Sequence, residues 1–169
     1  MATSLSSRPL DLLFFCYFAW HIPTTIVIDL QALLPAWVFP QAFKDLLAMY
    51  IQMYRDPFMG AQTPMPWFVS FIVCEALTQF PFFFYACYGI RKDSPHVRLP
   101  LLVYGAHVMT TVIPIVAELA FNQSYNLTTS ELNSLLAFYV PYFIIPFLIV
   151  VDSYRRVSKA LALARSKKD

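Results

Sequence analysis

The sequence predicts an all-α membrane protein: a bundle of four proline-kinked transmembrane helices, with an amphipathic helix between the first and second. Three observations predict it. Of 169 residues, 59% are hydrophobic and 13% charged, and the mean hydropathy is +0.57, whereas a water-soluble domain carries about 25% charge. Four segments, residues 10–30, 67–90, 99–121 and 132–151, are long enough to cross a hydrocarbon layer of ~30 Å, which takes about 17–25 residues. The basic residues are also sorted. Arg8, the group Arg91, Lys92 and Arg98, and the group Arg155, Arg156, Lys159, Arg165, Lys167 and Lys168 fall on one side of such a bundle. The positive-inside rule makes that side cytoplasmic, with both termini on it. The opposite, lumenal side holds Lys44 and Arg55 and the glycosylation sequons at Asn122 and Asn126.

The first span is too long for a cleaved signal core, contains His21 and Pro23, and lacks a small-residue cleavage site after it. Pro35 and Pro40 then end one helix and start the next, because proline fits only a helix's first turn. Residues 41–55 place Phe43, Leu46, Leu47, Tyr50 and Tyr54 at helical spacing, which predicts an amphipathic helix against the lumenal end of the bundle. Asp56-Pro57 stops it, and the stretch 63–67 re-enters the membrane with Trp67 at the interface. Pro23, Pro81, Pro114, Pro141 and Pro146 lie inside the spans. Each removes a backbone donor, and kinks in all four helices predict a bundle that bows around a pocket. One domain, residues 1–158, is followed by a basic cytoplasmic tail, residues 159–169, expected as a frayed helix on the anionic leaflet. The last five residues loosely resemble a dibasic retrieval signal.

Asp29 and Glu75 carry the functional argument. Each sits in an apolar span, where an ionisable group costs at least ~2.5–3.5 kcal/mol. His21, Thr25 and Asp29 follow i, i+4, i+8; Glu75 and Gln79 follow i, i+4. His107, Thr111, Pro114 and Glu118 form a third stripe with Thr110 beside it, and Tyr139 and Tyr142 follow i, i+3 in the fourth span. Thr, Gln and Tyr at such places often only join helices by hydrogen bonds. Buried together, the stripes make a polar site lined by aromatics, the make-up of a small-molecule pocket. Two acids facing one cavity cannot both ionise cheaply, so a protonated Glu75 is expected to donate to an ionised Asp29. An anionic Asp29 among aromatics suits a protonated amine with hydrophobic arms. Cys16, Cys74 and Cys87 show no CxxC spacing and read as small hydrophobes. No metal motif, no nucleotide loop and no nucleic-acid signature is present, so no metal, cofactor or nucleic-acid partner is expected.

The stretches from His21 to Ala32, Tyr54 to Pro57, Cys74 to Phe83, Tyr104 to Thr111 and Tyr139 to Pro146 resemble, in order and over nearly the whole chain, the sigma-2 receptor (transmembrane protein 97) family. The loop 122–131 and the tail fall outside the likeness, which is nearer to a fungal or other distant relative than to an animal receptor. The resemblance implies the four-helix fold shared with the emopamil-binding sterol isomerase, residence in the endoplasmic reticulum, and homodimers. It also implies a pocket opening towards lipid that takes sterols and cationic amphiphiles. In that family the residue matching Asp29 pairs with the amine, that matching Glu75 hydrogen-bonds to it, and that matching Asp56 is needed for binding. The candidate ligand-binding set is therefore Asp29, Glu75, Asp56, His21, Gln79, Tyr50, Tyr104, His107, Thr110, Tyr139 and Tyr142. In the isomerase a catalytic glutamate stands where this chain has Thr25, so the resemblance implies a binding protein sooner than an enzyme. The alternatives are a sterol isomerase-like enzyme and a trafficking factor supporting mitochondrial precursor delivery.

Overall fold

The computed structural model describes residues 4–167; Lys168 and Asp169 of the basic tail lie outside the described residues. Helices α1 (Pro9–Val27), α2 (Gln41–Tyr54), α3 (Pro66–Cys74), α4 (Phe80–Arg91), α5 (Arg98–Phe121), α6 (Thr129–Tyr139) and α7 (Pro141–Arg165) follow one another, with no strand among the described residues. They form four helices long and apolar enough to cross a membrane: Pro9–Ala32, Pro66–Arg91, Pro95–Phe121 and Thr129–Arg165. α1 packs on α4, α5 packs on α7, and α2 lies against α6, as the amphipathic spacing of its residues predicts.

Local chemistry explains the element ends. Pro9, Pro66 and Pro141 each open a helix where a missing N–H costs nothing. Thr128 and Glu131 close a capping box on α6, and Arg55, in the left-handed conformation at φ 51°, ends α2 and reaches Glu131 at 3.2 Å. α3 and α4 are one span joined by a π turn, Glu75–Gln79. Pro81 accounts for the widening. In an unbroken α-helix its ring would press on the Leu77 carbonyl, and a π turn just before it relaxes that clash. Thr78 Oγ1 donates to the Cys74 carbonyl at 2.6 Å within the same turn.

Two differences from the sequence reading bear on the site. α1 stops at Val27, and Asp29 stands on a separate 3-10 turn, Asp29–Ala32, so it does not continue the helical stripe of His21 and Thr25. Five β-branched residues in succession, Thr24 to Ile28, lower helix propensity just there. The fourth span is 37 residues long, about 55 Å, and α7 runs unbroken through Arg165.

The interior is packed in two parts. Towards the end that carries the termini, Phe14, Phe18, Phe83, Leu101 and Ile149 are wholly buried in one cluster; towards the other end, Phe58, Phe68, Ile72, Ile115, Leu119 and Leu135 form a second. At the termini end, Asp11 is wholly buried and takes two hydrogen bonds from Arg98, at 2.7 and 2.8 Å, another from Arg8, and one from Arg156 at 3.4 Å. This network joins α1, α5 and α7. α5 and α7 also meet tightly at Gly105, where a Cβ would stand 2.8 Å from the Pro146 carbonyl oxygen and 2.7 Å from Val150 Cγ2. Gly105→Ala is therefore expected to destabilise the protein by about 1–3 kcal/mol, through forced separation of two backbones. A thermal melt in detergent that matches the wild type would contradict it.

Candidate ligand-binding site

The two clusters leave a cavity of about 470 Å³ between them, within the ~300–1,000 Å³ range of small-molecule sites. Asp29 and Glu75 both line it, with His21, Gln79, Tyr50, Tyr139 and Tyr142 around them and Phe68, Phe71, Ile72, Val108, Val112 and Ile115 supplying apolar wall. Trp20, Pro23 and Leu46 on the wall are exposed, so the cavity reaches the outer surface of the bundle. Among the described residues no Lys or Arg lines it.

The acid pair differs from the sequence reading. Glu75 Oε1 accepts a hydrogen bond from Thr25 Oγ1 at 2.6 Å, and among the described residues no hydrogen bond joins the Glu75 and Asp29 carboxyl groups directly. Asp29 stands beyond the end of α1, on its own 3-10 turn. The same Glu75 oxygen is 3.8 Å from His21 Nε2. His21 is held by rings: stacked on Phe83 at 4.5 Å, edge to Tyr17 at 5.2 Å and tilted against Tyr142 at 4.8 Å.

Four candidates do not touch the cavity. Asp56 is buried behind the wall, where Oδ2 accepts from Tyr50 at 2.6 Å and Tyr139 at 2.7 Å, and Oδ1 accepts from the backbone of Phe58 and Met59 at 2.8 and 3.1 Å. Tyr104 sits in the solid cluster, its hydroxyl 2.9 Å from that of Tyr17. Thr110 is exposed and spends its hydroxyl on the His107 carbonyl at 2.7 Å. His107 is half-buried on the same helix, away from the lining. The α5 face that meets the cavity carries Val108, Thr111, Val112 and Ile115, one residue of rotation away from Thr110. Thr111 belonged to the sequence stripe; Trp20, Thr24 and Met59 on the wall carried no signal, being ordinary residues of a lipid-crossing chain.

Chemically the site offers acceptors. Two carboxyl groups line it, and Tyr50 and Tyr139 give their only hydroxyl hydrogens to Asp56, leaving oxygen lone pairs and ring faces for a guest. Burial and the neighbouring Asp56 carboxylate push the Tyr50 phenol up, so it stays a donor to Asp56 at neutral pH. A guest that donates hydrogen bonds and carries apolar arms meets carboxyl oxygens and aromatic faces.

Residues 42–153 match EXPERA (EXPanded EBP superfamily). The chain is 39% identical over 155 residues to Sigma intracellular receptor 2 of Xenopus tropicalis, covering 88% of this chain and 90% of the relative. It is 36% identical over 165 residues to the Homo sapiens protein of that name, covering 92% and 93%. It is 30% identical over 147 residues to Efficient mitochondria targeting-associated protein 19 of Saccharomyces cerevisiae, covering 77% and 88%. The chain belongs to the EXPERA family, alongside the sigma intracellular receptor 2 proteins.

Proposed function

We propose that this chain is a receptor-like protein of the endoplasmic reticulum membrane that binds sterols and cationic amphiphiles in the cavity between its two packed clusters. Asp29 is the counter-ion of a protonated amine, and Glu75 is its neighbouring acid. His21, Gln79, Tyr50, Tyr139 and Tyr142 shape the space around the cation. The observation that carries the reading is a pair of carboxyl groups on the wall of a largely aromatic and aliphatic cavity, within membrane-crossing helices and with no Lys or Arg among the described residues that line it. An ion pair formed in such a water-poor place is far stronger than one in water. The likeness to the sigma intracellular receptor 2 proteins supports it. Both termini facing the cytoplasm and assembly as a homodimer belong to the same reading.

The test is binding of a tritiated phenylalkyl tertiary amine to purified protein in detergent. Asp29→Asn is expected to weaken it by at least about thirtyfold, close to 2 kcal/mol. Unchanged affinity would rule the reading out. The name of the yeast relative favours a second reading, a role in mitochondrial precursor targeting with the cavity as its regulator. Failure to recover any mitochondrial precursor or targeting component by crosslinking in native membranes would count against that one.

A further inference from the structure

We infer that Thr25, a residue that does not line the cavity, is the positioning residue that holds the two acids in register and so sets the preference for amines. The inference rests on the amine-binding reading above.

Threonines inside helices normally return their hydroxyl hydrogen to the carbonyl one turn back, which satisfies the side chain and binds nothing else. Thr24 does so to Trp20, Thr78 to Cys74, Thr110 to His107 and Thr111 to Val108. Thr25 departs from this habit. It is buried at 1% exposure, and it sends its hydroxyl across to the second span, to Glu75 Oε1 at 2.6 Å. That length belongs to hydroxyl–carboxylate bonds. Asp29 follows Thr25 one turn on in the chain and lines the same cavity as Glu75, so this bond fixes one acid to the segment that carries the other.

The backbone makes such a bridge necessary. Asp29 stands on a short 3-10 turn and Glu75 on a π turn, so neither carboxyl is fixed by regular helix packing. Glu75 has a long, rotatable side chain and two competing places to go: His21, at 3.8 Å from the same oxygen, or the open cavity. A hydroxyl has one hydrogen, and giving it to Glu75 fixes that side chain against the wall. Asp29 is then left facing the space where a cation would sit. Without the hydroxyl, Glu75 is free to swing, and the two carboxyl groups no longer converge on one point.

The experiment compares Thr25→Val, which removes the hydroxyl at nearly constant volume, with Thr25→Ser, which keeps it. Tritiated phenylalkyl tertiary amine and tritiated cholesterol are the two probes, and Asp29→Asn is measured beside them. Thr25→Val is expected to lower amine affinity about tenfold, the effect of one hydrogen bond, and to leave cholesterol binding within about twofold. Thr25→Ser is expected to restore amine binding to within about threefold. Wild-type amine affinity in Thr25→Val, or equal loss of both probes, would overturn the inference, the second outcome meaning that Thr25 only staples two spans. If Thr25→Val is not recovered folded, Thr25→Cys, with a far weaker donor, carries the same comparison. Should Asp29→Asn bind the amine normally, the reading of the cavity fails; should it lose the amine while Thr25→Val keeps it, only the role of Thr25 fails.

Discussion

Asp11→Asn is expected to lower the melting temperature by about 6–12 °C, from a loss of about 3 kcal/mol. The substitution keeps shape and removes charge. In the native protein Asp11 is wholly buried and accepts from Arg98 in a two-pronged bond, from Arg8, and from Arg156. Arg98 is itself buried, so losing its main counter-charge leaves a guanidinium that water cannot reach. Asp93 and Asp152, at 3.5 and 3.8 Å from Arg98, compensate in part, which holds the loss near the lower end of the range for a broken buried pair. Asp93→Asn removes a charge that is 30% exposed and is expected to cost under about 1 kcal/mol. Differential scanning of the purified variants decides, and similar melting points for the two would show that the network is not shielded from solvent.

Asp56→Ala is the second large effect, and it reaches the cavity without touching it. One carboxylate takes four hydrogen bonds: two from the phenols of α2 and α6, two from the backbone of Phe58 and Met59. Deleting it strands four donors at a buried place, at a cost of about 3 kcal/mol or more. Tyr50 and Tyr139 are then free to turn their hydroxyl hydrogens into the cavity and donate where they had only accepted. Amine affinity is expected to fall about tenfold or more even in the folded fraction. Asp56→Asn is milder, because an amide oxygen can still serve Phe58 and Met59. Equal stability and equal amine binding in Asp56→Ala and wild type would contradict this account.

The four spans were legible because apolar length is a property of the chain alone; that Pro141 opens a helix was not, since it reads as a proline inside the fourth span. Asp29 and Glu75 were legible as misfits, acids where a lipid-crossing segment has no use for them. Rotational phase was not. Thr110 and Thr111 are adjacent in sequence, and which one faces inward depends on how α5 rolls against α7 around Gly105, a fact of tertiary packing. Nor could the sequence tell that Asp56 stands behind the wall, since membership in a binding set does not distinguish touching a ligand from bracing the residues that do. The Asp11–Arg98 pair spans 87 positions, and nothing local to either residue names the other; Arg98 alone reads only as one of the sorted basic residues.

The π turn at Glu75–Gln79 amounts to one surplus residue in an otherwise regular span. A single deletion within it, made together with Pro81→Ala so that no proline ring opposes the tighter turn, would give an ordinary α-helix while Phe68 and Ile72 before it, and Phe83 and Ala86 after it, kept their mutual orientation. Architecture and acid chemistry are thus separable at this point by the gain or loss of one residue beside one proline.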